Sequence, residues 1–100
     1  MCGISFYCSN KAIFSERLAS SLRVMEHRGP DASGTFEKEY KNAYVGLGHN
    51  RLSIIELTNA GNQPMHEEEI SIIFNGEIYN HESLRKSLQL KGYSFIGNSD

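Results

Sequence analysis

The sequence predicts an α+β domain with antiparallel strand pairing. Three observations carry that expectation. Residues 2 to 8 alternate between two faces, residues 11 to 27 place apolar side chains at helical spacing, and two strand-like segments, Thr35–Tyr40 and Ala43–His49, follow each other across a short polar turn. Grouped strands separated by helices, in the order β, α, ββ, β, α, β, favour helices packed on antiparallel sheet over a parallel, doubly wound arrangement.

The elements follow in order. In the first strand Cys2, Ile4, Phe6 and Cys8 share one face, and Gly3, Ser5 and Tyr7 share the other. The first helix is expected from about Lys11 to His27, with Phe14, Leu18, Leu22 and Met25 as its apolar stripe. Arg28-Gly29-Pro30-Asp31 ends it, because proline disfavours helical geometry in the residue before it and glycine permits a tight turn. The hairpin turns around Lys41-Asn42. A polar loop should then run from about Glu56 to Glu69, with Asn59, Gly61, Asn62 and Pro64 as its turn formers. Ile70, Ile72 and Phe74 alternate with Ser71, Ile73 and Asn75 in another strand, closed by Asn75-Gly76. The second helix is expected over His81–Lys91, with Asn80 at its N-cap, Leu84 and Leu88 as its stripe and Gly92 at C′. Tyr93–Ile96 reads as one more short strand.

Composition narrows the function classes. With 39% hydrophobic residues, 22% charged residues and a net charge of −2, nothing in the chain draws it to nucleic acid or to an anionic membrane. No apolar stretch approaches the roughly 20 residues that span a bilayer, and the N-terminus lacks a secretory layout. The expected location is therefore cytoplasmic. Cys2 and Cys8 lie on one strand, too far apart to bridge, which fits a reducing compartment. Cys8 is expected to be a small buried apolar residue. His27, His49, His66 and His81 show no metal-ligand spacing, and Glu67-Glu68-Glu69 reads as a solvated loop.

Cys2 carries the most chemical information. Methionine is trimmed readily before a small residue, which would leave a thiol and a free α-amine on one terminal cysteine. The two groups ordinarily titrate within about one unit of each other, so the amine can take the thiol's proton near neutral pH. That is a nucleophile activated by its own chain terminus.

Read together, Met1-Cys2-Gly3-Ile4, Arg28-Gly29-Pro30-Asp31, Gly48-His49-Asn50-Arg51-Leu52-Ser53-Ile54, Gln63-Pro64-Met65, Phe74-Asn75-Gly76-Glu77-Ile78-Tyr79-Asn80 and Ser99-Asp100 resemble the glutaminase domain of glutamine-dependent asparagine synthetases. Those domains are class II glutamine amidotransferases within the N-terminal-nucleophile hydrolases. One departure is Phe6, where that family often has glycine. The resemblance covers the whole chain and implies a four-layer αββα sandwich, of which residues 1–100 are the N-terminal part, with later strands and an ATP-dependent synthetase domain beyond Asp100. It implies that Cys2 attacks the carboxamide of glutamine, its α-amine serving as base and then acid. Asn75 and Gly76 would hold the oxyanion. Arg51 would pair with the substrate carboxylate, with Leu52, Ser53, Ile54 and Ile55 lining the site, and Glu77 and Asp100 would receive the α-ammonium. Arg28-Gly29-Pro30-Asp31 would shape a loop near the nucleophile, and His49 would help position the Arg51 loop. No cofactor is expected within this segment. ATP and Mg²⁺, with aspartate as nitrogen acceptor, belong to the implied second domain. The oligomeric state stays open, a homodimer included, and so does the acceptor, which in a close variant would be another carboxylate such as a sugar acid. A catalytically inactive glutamine-binding fragment is the competing reading.

Overall fold

The computed structural model describes residues 1–12 and 15–100. Its main sheet has three antiparallel strands, β1 (Gly3–Ser9), β2 (Ala32–Tyr40) and β3 (Ala43–Arg51), in the spatial order β1-β3-β2. The hairpin between β2 and β3 turns at Lys41-Asn42 as expected, although both strands extend further than the sequence suggests. Tyr40 pairs with Ala43, and Ala32 with Arg51. On the other edge Gly3 pairs with Asn50 and Ser9 with Tyr44, so β3 lies at the centre with both neighbours fully paired to it.

The helix α1 (Ser15–Val24) crosses one face of this sheet. It is shorter than expected, because the chain tightens into a 3-10 turn over Glu26–Arg28 before Gly29. Phe14, the first residue of the expected stripe, lies outside the described residues. Among the described residues, Leu18 and Leu22 form the buried apolar core. They seat over Gly48, where a β-carbon would come within 3.1 Å of both side chains. The same face carries Ser5, whose hydroxyl bonds Ser21 at 2.7 Å, and Asn50, whose Nδ2 donates to the Leu22 carbonyl at 2.6 Å. Tyr7 also points this way, lying across Gly46 to donate to Glu37 at 2.8 Å.

The apolar face is therefore the other one. Ile4, Phe6 and Cys8 are exposed, Phe6 by 64%, and Leu47 and Val45 beside them are only half-buried. Cys8 is not buried as expected: it sits on the face opposite α1 and is exposed.

Beyond β3 the expected polar loop contains structure. A 3-10 turn forms at Asn59–Gly61, capped by the Thr58 hydroxyl, which accepts from Ala60 N–H. Then β4 (Met65–Glu67) pairs antiparallel with β5 (Ile70–Ile72) through a turn at Glu68-Glu69, so the three glutamates form part of a hairpin. β5 is shorter than the expected strand and releases the chain before Phe74. His66 joins the two strands through Ser71 at 2.8 Å, and its ring meets Phe36 of β2 at 4.8 Å. The helix α2 (His81–Leu90) forms where expected, and Gly92 takes the positive φ of 93° that suits C′. Asn80 stands at the N-cap without a side-chain bond.

Tyr93–Ile96 is not a strand. Among the described residues it pairs with no strand. Instead Arg85 of α2 stacks over Phe95 and donates to the Gly97 and Ser99 carbonyls, which wraps the segment back on the helix. The observed architecture is thus mixed α+β with antiparallel sheets. Among the described residues, no helix is long and apolar enough to cross a membrane.

Candidate active site

The site gathers where β1 begins and β3 ends. These two ends coincide because the strands are antiparallel and in register, which puts Cys2 opposite the residues that leave β3. The Leu52 N–H donates to the Cys2 sulfur at 3.3 Å, and the thiol lies 3.9 Å from the Leu52 carbonyl. Arg28 fixes the backbone beneath, its Nε donating to the Cys2 carbonyl at 3.1 Å. Gly29 is packed so closely on the Asn50 backbone that no β-carbon would fit. Asp31 then reaches back: its N–H donates to the Arg51 carbonyl at 3.0 Å, and its carboxylate accepts from Ser53 N–H at 2.7 Å. The Arg28–Asp31 segment is a scaffold between Cys2 and the loop after β3.

Arg51 is buried, and its guanidinium organises the loop that follows. One terminal nitrogen donates to the Thr58 carbonyl at 2.7 Å and to Asn62 Oδ1 at 2.8 Å, and the other donates to the Glu56 carbonyl. Gly61 admits the guanidinium, since a β-carbon there would collide with it. Of the five donor hydrogens of an arginine, bonds to described residues engage three. Leu52 and Ser53 are half-buried, whereas Ile54 and Ile55 face outward.

Glu56 links this loop to the end of the chain. One carboxylate oxygen accepts from Thr58 N–H at 3.0 Å and the Thr58 hydroxyl at 2.6 Å; the other accepts from Asn98 N–H at 3.0 Å. The Thr58 hydroxyl, then the Asn98 and Thr58 amides, hold its carboxyl down at about 2, with the Arg51 charge a smaller contribution. Two residues beyond Asn98, the Asp100 carboxylate accepts from Ile78 N–H at 2.6 Å. Asp100 therefore lies beside Glu77, the other acidic residue the sequence singles out. Asn75 and Gly76 stand in irregular chain just before them. Neither the Asn75 amide nor the Gly76 N–H bonds another described residue, so both donors are available.

His49 lies two residues before Arg51 on β3 and is almost completely buried. Burial first, and then the Arg51 charge, lower its pKa, while the nearby Phe74 backbone opposes the shift. Among the described residues, neither ring nitrogen meets a partner at hydrogen-bond geometry. His49, Arg51, Asn62 and Gln63 line a cavity of about 260 Å³ against β2. Its lining includes neither Cys2 nor the Asn75–Gly76 pair.

The structure thus links Cys2, Arg51, Leu52 and Ser53 in one network, and Asp100 with Ile78 in another that Glu56 joins to the first through Asn98; Glu77, next to Ile78 in the chain, makes no hydrogen bond among the described residues. Sequence reasoning missed Glu56 and Asn62. A glutamate within a polar loop gives no signal of that role; only the approach of Asn98 reveals it.

A family described as glutamine amidotransferase domain matches residues 1–100. The chain belongs to that family. It is 47% identical over 87 residues to amidase chry2 of Gibberella zeae, covering 85% of this chain and 12% of that protein. It is 48% identical over 86 residues to asparagine synthetase [glutamine-hydrolyzing] 1 of Bacillus subtilis, covering 85% of this chain and 13% of that protein. With an asparagine synthetase [glutamine-hydrolyzing] of Brassica oleracea it shares 43% over 105 residues, covering 100% of this chain and 17% of the relative. The chain therefore spans less than a fifth of the length of these three relatives. No solved structure matches it.

Proposed function

We propose that this chain is the nucleophile-bearing part of a glutaminase that hydrolyses glutamine to glutamate and ammonia through a thioester on Cys2. The observation that carries the proposal is the contact between the Cys2 sulfur and Leu52 N–H, 50 residues away, which seats the thiol beside the Arg51–Ile55 segment. Removal of Met1, which is exposed, would free the Cys2 amine to take the thiol proton. The sulfur attacks the glutamine carboxamide carbon, and the Asn75 amide and Gly76 N–H receive the oxyanion. Collapse breaks the C–N bond, the amine delivers its proton to the leaving nitrogen, and ammonia departs. Water then adds to the thioester, releasing glutamate and restoring the thiol. The two uncommitted Arg51 donors meet the substrate carboxylate. Asp100, anchored on the Ile78 N–H, and Glu77, the residue before Ile78, meet the α-ammonium.

The reading extends to the whole protein. Ile4, Phe6, Val45 and Leu47 form an apolar face that a second sheet would cover, which supports a four-layer αββα sandwich completed by chain beyond Asp100. The asparagine synthetases among the relatives support ATP-dependent transfer of the ammonia to aspartate. Amidase chry2 supports the variant in which the acceptor differs. The test is glutamine hydrolysis by the full-length protein, wild type against Cys2→Ala, with the mass of its N-terminus. Loss of hydrolysis in the variant, with Met1 absent from the active wild type, is expected. Hydrolysis that survives Cys2→Ala would overturn the proposal.

A further inference from the structure

The loop that follows β3 and the last residues of the chain are far apart in sequence and carry different parts of the site. The first holds Arg51 and lines the nucleophile. The second holds Asp100. One side chain is bonded to both. Glu56 takes two donors from Thr58 on one oxygen and the Asn98 N–H on the other, while its own backbone carbonyl accepts from Arg51. Gly97 packs against the same carboxylate, a β-carbon there lying 3.2 Å from its oxygen.

We propose that Glu56 is a positioning residue that sets Asp100 at the distance from Arg51 that the α-ammonium and α-carboxylate of one bound amino acid require. This rests on the glutaminase reading above and adds to it the device that fixes its amino-acid specificity. The physical reason is the separation of tasks. Asp100 is anchored on one side by Ile78, and Arg85 fixes the Gly97 and Ser99 carbonyls against α2. Those contacts orient the segment on α2 but give it no register against the Arg51 loop. The bond from Asn98 N–H to Glu56 supplies that register. A carboxylate suits the position because it must accept on both oxygens. The amide of a glutamine would present its NH₂ to one of these donors, so Glu56→Gln can keep Thr58 or Asn98 but not both.

The experiment compares wild type, Glu56→Gln and Glu56→Ala in the full-length protein. It reads KM and kcat for glutamine, and the inhibition constant of 4-carbamoylbutanoate, which keeps the carboxylate and carboxamide of glutamine but lacks its α-ammonium. The expected result is a KM for glutamine raised about tenfold in Glu56→Ala, the loss of one charge-assisted bond, and less in Glu56→Gln. In both variants kcat and the inhibition constant of the analogue stay within about twofold of wild type, because neither depends on the ammonium subsite. A thermal melt identifies a variant that has not folded, in which case the other decides. Loss of affinity for both molecules alike would mean general support of the loop and would overturn the inference alone. Unchanged kinetics would overturn it too. If the wild type shows no Cys2-dependent hydrolysis, the glutaminase reading falls first and this inference with it.

Discussion

Arg51→Lys separates what the guanidinium does for the loop from what its charge does for a ligand. The charge survives the change, but the planar fork does not. In the structure the two terminal nitrogens reach three acceptors, the Thr58 and Glu56 carbonyls and Asn62 Oδ1. A single ammonium cannot sit at both nitrogen positions, so one or two of those bonds are lost. Hydrogen bonds to a charged group contribute about 1.5–3 kcal/mol each, and lysine recovers part, which leaves a net loss of about 2–4 kcal/mol in loop closure. If opening of the loop governs amide exchange, that loss speeds exchange by about 30-fold to about 900-fold. The amides to follow are Gly61, bonded to the Thr58 carbonyl at 3.4 Å, and Asn62, bonded to the Asn59 carbonyl at 3.0 Å. Hydrogen exchange on the full-length protein, read by mass spectrometry over residues 56–62, measures this directly. Exchange within about threefold of wild type would refute the reasoning, whatever happens to the KM for glutamine.

Two further outcomes follow from buried groups on β3. Asn50 donates to the Leu22 carbonyl, which also accepts from Met25 N–H at 3.1 Å. Asn50→Ala therefore leaves no orphan carbonyl and should cost only about 1 kcal/mol, whereas Asn50→Asp sets an acceptor against an acceptor and should cost about 3 kcal/mol; the urea midpoints of the two variants check the order. His49 behaves differently, through protons. Its folded pKa is lowered by burial, so as pH falls below about 6.5 the unfolded chain takes a proton that the folded chain refuses. Stability should fall on acidification, with a slope from this group of at most about 1.4 kcal/mol per pH unit, and His49→Gln should remove that part of the slope between pH 6.5 and 5.

The elements most legible in the sequence are those whose signal is local. The Lys41-Asn42 hairpin, the core stripe of Leu18 and Leu22, and Gly92 at its positive φ all follow from short-range rules. What the sequence concealed is which side of a strand faces inward. The alternation in β1 is clear, and the apolar side of it invites burial. The structure places α1 on the Ser5 and Tyr7 side, because Gly46 and Gly48 of the neighbouring strand leave the space into which Tyr7, Leu18 and Leu22 fit. Periodicity reports two faces and says nothing of what covers each. Cys8 illustrates the consequence, exposed where its residue type argues for burial. Tyr93–Ile96 failed for a related reason: strand propensity describes a chain with a neighbour to pair with, and Arg85 holds this segment to a helix instead.

The site shows the same division. Cys2, Arg51, the Asn75–Gly76 pair, Glu77 and Asp100 each belong to a motif, so the roles proposed for them start from residue type and setting. Their supports belong to no motif. Asp31 holds Ser53, Asn62 holds Arg51, and Glu56 holds Asn98, each across 11 to 42 residues of sequence, while Glu56 also takes its near neighbour Thr58. A group that reacts must present a particular functional group and is limited to a few residue types. One that supports needs only an acceptor in the right place, and a glutamate in a polar loop has many equally plausible solvated fates. Glu56 escapes them because Asn98, 42 residues away, reaches one of its oxygens while Thr58 holds the other. That convergence also explains why its carboxyl is held at about 2 although the group lies at the surface: the donors are fixed backbone amides and a hydroxyl, already oriented before any charge arrives. Its contacts should therefore persist on acidification until the pH approaches 2, well after an ordinary surface glutamate has taken up its proton.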